Sequence, residues 1–154
     1  TVLRMAETPS TSLLTAEQVS ALVDAHFPQL HAGGKHLHIE SVGHRVARVR
    51  MQADESQMRP GGAVSGPAMF KLADFAIYVA ILAELGPGAV EAVTTGMTVN
   101  FLSRPAPSDM VARVRLIKLG RRLAVGEVEL YSEGAGEMVA HATGTYALPS
   151  PSAR

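Results

Sequence analysis

The chain has 154 residues, no cysteine, and 14 basic against 14 acidic side chains, a formal net charge of zero. That length predicts one domain burying roughly 70% of the unfolded chain's surface, while the lack of cysteine excludes disulfides, thiolate metal sites and a cysteine nucleophile and fits a reducing compartment. Balanced charge gives no global field for nucleic acid or an anionic membrane surface, so an anionic ligand needs a local patch.

In chain order, residues 1–14 are polar and turn-prone and are expected to be a mobile tail, as is the segment 149–154, with one domain over 15–148 between them. The opening Thr1-Val2-Leu3-Arg4 before Met5 reads as upstream sequence without the apolar run and cleavage site of a signal peptide. Thr15 and Gln18 have capping-box spacing, and Val19, Leu22, Val23 and Phe27 form a helical stripe. A helix is predicted over 15–27, with Pro28 as its stop. Strands follow at 36–42 and 45–52, joined by a turn at Gly43-His44.

The turn-rich run from Arg59 to Gly66 leads into a helix over 67–85, about 28 Å long, ended by Gly86-Pro87-Gly88. Met69, Phe70, Leu72, Phe75, Ile77, Val79, Ile81 and Leu82 leave it no broad polar face, so other structure must surround it. It is not a membrane span, because Lys71, Asp74 and Glu84 interrupt the apolar stretch; with no span, a cytoplasmic protein is expected.

Four strands are predicted near 92–103, 110–119, 123–132 and 138–148. If Gly120-Arg121-Arg122 is a three-residue loop, Leu119 faces Leu123, Ile117 faces Val125, Arg115 faces Glu127 and Arg113 faces Glu129. Ala112, Val114, Leu116, Val128 and Leu130 then share the face that should lie on the long helix, and Ile117, Val125 and Tyr131 lie on the outer one. The outline is α+β: one antiparallel sheet wrapped round one long helix, with an extra N-terminal helix.

Asp74 sits in the middle of that helix, one turn from Phe70, Lys71, Ile77 and Tyr78. A carboxylate among apolar groups pays desolvation and needs hydrogen-bond partners or a function. Two readings are open: a functional carboxylate, or an interface aspartate bonded to backbone or paired with Lys71. At the helix start, Pro67 has no amide hydrogen and leaves the Gly66 and Ala68 amides pointing outward, suited to an anion or a carbonyl oxygen gaining charge.

The run Gly62-Ala63-Val64-Ser65-Gly66-Pro67, followed by Phe70-Lys71-Leu72-Ala73-Asp74, resembles the helix entry of hotdog thioesterases of the phenylacetate-pathway type. Val99-Asn100-Phe101-Leu102-Ser103-Arg104-Pro105-Ala106 and Leu119-Gly120-Arg121-Arg122-Leu123-Ala124 leading to Gly144-Thr145-Tyr146 resemble further segments of that family, so the likeness spans about 36–148. The resemblance implies a hotdog fold, hydrolysis of an acyl-coenzyme A with no cofactor, and a homodimer or homotetramer with active sites at the subunit interface. It also implies Asp74 as the catalytic carboxylate, Gly66 as the backbone oxyanion donor, and Thr94 near a position that helps place water. Three residues depart from the pattern: Ser65 stands where histidine is usual, Pro67 where a second glycine is usual, and Arg59 near a common asparagine or glutamine. Arg59 and Ser65 are candidate substrate contacts. Lys118, Arg121 and Arg122 cluster at a hairpin tip, with Arg104 expected nearby, and form a candidate site for the coenzyme phosphates beside the simpler reading of a solvated turn.

His36 and His38 share a strand face without a third ligand, so no metal site is expected. No Gly-x-Ser-x-Gly elbow, phosphate loop or dinucleotide fingerprint occurs. The rival readings are a hotdog dehydratase, which needs a histidine near the helix entry, and a non-catalytic acyl-CoA-binding protein, which needs an output domain. The apolar side chains point to an aryl or medium-chain acyl group, and the expected product is free acid plus coenzyme A.

Overall fold

The computed structural model describes residues 11–154; residues 1–10, most of the expected N-terminal tail, lie outside the described residues. The first helix, α1 (Ala16–His26), starts where the capping box places it. The Thr15 hydroxyl accepts the Gln18 N–H at 3.2 Å, and Gln18 Oε1 accepts the Thr15 N–H at 2.9 Å. Val19 and Val23 bury its apolar stripe. Pro28 opens a short 3-10 turn, Pro28–His31, in which the chain leaves the helix axis. Just before α1, the Leu14 N–H donates to the Ala83 carbonyl at 2.9 Å.

Strands β1 (Leu37–Gly43) and β2 (Val46–Met51) form a hairpin whose turn is His44-Arg45, one residue later than Gly43-His44. Arg45 adopts φ 58°, uncommon for a residue with a side chain, and Glu84 Oε1 holds it there by accepting its N–H at 2.5 Å. The long helix, α2 (Gly66–Leu85), is apolar all round because it is covered: Leu72, Ile77, Ile81 and Leu82 are fully buried. It stops at Gly86, whose φ of 76° only glycine takes readily.

Strands β3 (Val93–Phe101), β4 (Met110–Leu119), β5 (Leu123–Ser132) and β6 (Met138–Ala147) complete a six-stranded antiparallel sheet of order β1-β2-β4-β5-β6-β3. Ala112, Val114, Leu116, Val128 and Leu130 are all buried on the face that wraps α2. The charge pairs of the β4–β5 hairpin stand as expected, Arg113 opposite Glu129 and Arg115 opposite Glu127. Its tip does not. Gly120 donates to the Leu123 carbonyl at 2.8 Å and Leu119 pairs with Ala124, so the loop is one residue longer than expected. A bulge at Ile117 absorbs the difference and puts Lys118, rather than Ile117, opposite Val125.

Gly126 of β5 lies directly opposite Gly144 of β6, and the Ile77 side chain seats in the space that two side chains would fill. This glycine pair lets α2 approach the sheet closely. After β6 the Leu148 N–H donates to the Arg122 carbonyl, and the terminal Arg154 reaches the Arg121 carbonyl at 3.4 Å. Among the described residues no helix is long and apolar enough to cross a membrane.

Candidate active site

Asp74 projects from the middle of α2 toward the start of β3 and the end of β6. The strand register makes Thr94 and Tyr146 cross-strand partners, so their hydroxyls converge on one carboxylate. Thr94 Oγ1 donates to Asp74 Oδ1 at 2.7 Å, and the Tyr146 hydroxyl donates to the same oxygen at 2.5 Å while lying 3.0 Å from the Asp74 carbonyl. A bulge in β3 just after Thr94 resets the alternation of that strand. Asp74 Oδ2 has no hydrogen-bond donor among the described residues. Burial, reinforced by the Asp74 carboxylate, pushes the Tyr146 phenol far above its ordinary range, so Tyr146 acts as a donor at any working pH.

Lys71 is not the partner of Asp74. Its ammonium donates to the Leu30 carbonyl at 3.3 Å, because the segment after α1 lies closer to it than the carboxylate does. Lys71 and Asp74 nevertheless line one cleft of about 340 Å³, otherwise walled by Phe27, Leu30, Phe75, Tyr78 and Val90 and closed at the sheet by Thr94 and Tyr146. Phe27, Tyr78 and Tyr146 form an aromatic row there, with ring centroids 6.3 and 6.2 Å apart.

The helix entry differs from expectation in one respect. The Ser65 hydroxyl accepts the Ala68 N–H at 3.2 Å as the N-cap, so this amide is already satisfied. The Gly66 N–H has no acceptor among the described residues. A Cβ on Gly66 would sit 3.4 Å from the Phe101 ring at the far end of β3. Gly66 and Asp74 are eight residues apart on one helix, about 12 Å along its axis. The two groups therefore cannot bracket one carbonyl within a single chain.

The other candidate residues are dispersed. Arg59 sits in the loop before α2, its N–H bonded to the Ala63 carbonyl, and lines a separate depression with Asp54 and Met58. Arg104 donates to the Gly61 carbonyl at 2.8 Å and so ties down the same loop. It is not near Lys118, Arg121 and Arg122 in its own chain. Val93 and Leu123 both pair with Ala147, whereas Phe101 and Leu130 both pair with Ala140. Arg104, just after Phe101, is thus at the opposite end of the sheet from the hairpin tip, about 23 Å away along β5.

Tyr146 is the site residue that sequence reasoning passed over. It carried a signal: the helix-facing positions of β6 run Ala140, Ala142, Gly144, Tyr146, and a buried phenol needs an acceptor for its proton. Asp74 is the carboxylate at the middle of the helix that this face covers.

Residues 61–139, just over half the chain, match the sequence signature described as the thioesterase superfamily. A Silicibacter sp. TM1040 protein provisionally named a thioesterase is 37% identical, with 95% of this chain and 99% of that one covered and a TM-score of 0.82. A mutant form of the phenylacetic acid degradation protein PaaI of Thermus thermophilus is 27% identical over 79% of this chain and 99% of its own, with a TM-score of 0.66. A Saccharolobus solfataricus protein with a provisional esterase name is 25% identical over 138 residues, 88% of this chain and 81% of that protein. With its sheet wrapped round one long helix, the chain belongs to the thioesterase superfamily, as a hotdog thioesterase of the phenylacetate-pathway type.

Proposed function

We propose that the protein hydrolyses an acyl-coenzyme A thioester with an aryl or medium-chain acyl group, releasing the free acid and coenzyme A. The observation that carries this reading is Asp74: a carboxylate in the middle of a largely apolar helix, with Oδ1 held by two hydroxyls, Oδ2 without a donor among the described residues, and a largely apolar cleft beside it. The free oxygen takes a proton from water as that water adds to the thioester carbon, or adds to the carbon itself. The Gly66 N–H stabilises the carbonyl oxygen as it gains charge. Collapse then breaks the carbon–sulfur bond and the thiolate leaves; after direct attack the acyl group stays on Asp74 as a mixed anhydride, which water hydrolyses to the free acid and the carboxylate. Phe27, Leu30, Phe75 and Tyr78 favour an aryl or medium-chain acyl group in the cleft.

The oxyanion donor comes from a second copy of the chain. Strand β3 is an edge strand with apolar groups in solvent, Val93 at 57% and Phe101 at 53% exposure. Two such edges paired antiparallel about a two-fold axis near Met97 bring the Phe101 end of one chain to the Thr94 end of the other. Gly66 travels with Phe101 and Asp74 with Thr94, so the pairing closes the 12 Å gap in trans. The same operation carries Arg104 of one chain toward Lys118, Arg121 and Arg122 of the other, where they hold the coenzyme phosphates. A second pairing of dimers over the outer sheet face, near Ile117, Val125 and Tyr131, gives a tetramer.

The direct test is Asp74→Asn, with thiol release followed across a panel of acyl-coenzyme A esters. Turnover should fall on the order of 100-fold or more with the fold retained; unchanged turnover refutes the site. Heavy oxygen from water appearing in Asp74 during a single turnover supports direct attack, and its absence favours a general base.

A further inference from the structure

Asp74 accepts two hydroxyl protons on the same oxygen, and the two donors differ in kind. Thr94 lies on the edge strand, which within one chain is paired on one side only, and its short side chain makes one bond to Asp74. Tyr146 is 4% exposed, its ring stacks on Tyr78 at 6.2 Å and 16°, and its strand is paired on both sides. Its hydroxyl lies within hydrogen-bond distance of both the Asp74 carboxylate and the Asp74 carbonyl. A donor fixed to both the side chain and the backbone of one residue locks that residue's rotamer.

We propose that Tyr146 is the positioning residue of this site: it holds Asp74 by Oδ1 and thereby makes Oδ2 the oxygen that acts on water or the thioester. The inference rests on the reading of Asp74 as the catalytic carboxylate. Tyr146 works through the carboxylate: at the sheet end of the cleft its hydroxyl is taken up by Asp74. Tyr78 is the second support, since its hydroxyl donates to the Val90 carbonyl at 2.7 Å and fixes the ring on which Tyr146 stacks.

The test compares Tyr146→Phe, Asp74→Asn and the double variant in the full-length protein. Tyr146→Phe should lower kcat roughly 10- to 30-fold with KM for the coenzyme A ester within about 2-fold, since an interaction that orients the reacting group acts on the chemical step. In the Asp74→Asn background the same change should cost less than about 2-fold, the mark of two residues acting as one unit. Should Tyr146→Phe fail to fold, 3,5-difluorotyrosine at 146 keeps the shape and changes the strength of the donor, and kcat should move by more than about 2-fold with KM unchanged. If Asp74→Asn is inactive while Tyr146→Phe keeps wild-type kcat, the positioning role is overturned and the catalytic reading stands. A kcat unmoved by difluorotyrosine also overturns it. If Asp74→Asn is fully active, the catalytic reading fails and this role with it.

Discussion

Gly126→Ala probes how closely the helix carrying Asp74 sits on the sheet. A Cβ at position 126 would lie 2.9 Å from Ile77 Cγ1 and 3.1 Å from Cγ2. Carbon atoms prefer about 3.5–4.0 Å, so about 0.6 Å must open between β5 and α2. Both Ile77 atoms are branches on its Cβ, held by the single χ1 that a β-branched residue prefers in a helix, and the side chain is fully buried. Overpacking costs about 1–3 kcal/mol, and the upper end applies where neither neighbour can turn away; replacing glycine returns about 0.4–1 kcal/mol through the unfolded chain. The net expectation is about 2 kcal/mol of destabilisation, or a Tm lower by about 4–8 °C. Gly144→Ala is the control, because its close neighbours are Ile77 Cδ1 at 2.7 Å and Met97 Sδ at 3.3 Å, the movable parts of side chains. It should fall within about 0.5 kcal/mol of wild type. Urea unfolding in wild-type and Ile77→Val backgrounds separates the two, since valine keeps both γ carbons and loses only Cδ1. Gly126→Ala should cost about as much in either background, while Gly144→Ala stays near its parent in both. Wild-type stability for Gly126→Ala, or its rescue by Ile77→Val, refutes the packing account.

Arg121→Ala combined with Arg122→Ala should raise KM for coenzyme A esters more than for a short thioester lacking the nucleotide; equal effects return these residues to a solvated turn. Mixing Asp74→Asn chains with Gly66→Pro chains should restore roughly a quarter of wild-type activity, since half the dimers are hybrids and each hybrid keeps one of two sites. A fully active monomer by light scattering contradicts the shared site. Alkaline stability tests Tyr146 by a different route. Its folded pKa lies above the unfolded value near 10, so its contribution is complete below that pH and is lost as pH rises beyond it. Above pH 10 the unfolding free energy of wild type should therefore fall more steeply than that of Tyr146→Phe, by about 1.4 kcal/mol per pH unit, in urea titrations at fixed pH. Parallel slopes refute a phenol kept neutral by the fold.

What could be read from the sequence is what depends on neighbours along the chain. The Thr15–Gln18 box, the glycine stop after Leu85, the alternation of β4 and β5, and the pairing of Arg113 and Arg115 with Glu129 and Glu127 are set by periods of two to four residues, so they survive into the fold. Asp74 was legible for a related reason: a carboxylate in an apolar helix breaks a local pattern. The bulge at Ile117 was not, because an extra residue in a hairpin is absorbed wherever the twist of the sheet allows. The Ser65 hydroxyl takes up the Ala68 amide, an outcome decided by the conformation of the loop before α2. The separation of Arg104 from Arg121 and Arg122 follows from strand order, which places β3 at the edge with its end far from the β4–β5 tip. Tyr146 and Thr94 meet Asp74 only because β6 and β3 are neighbours in register beneath the middle of α2, a coincidence of three segments spread over 72 residues that no local period encodes.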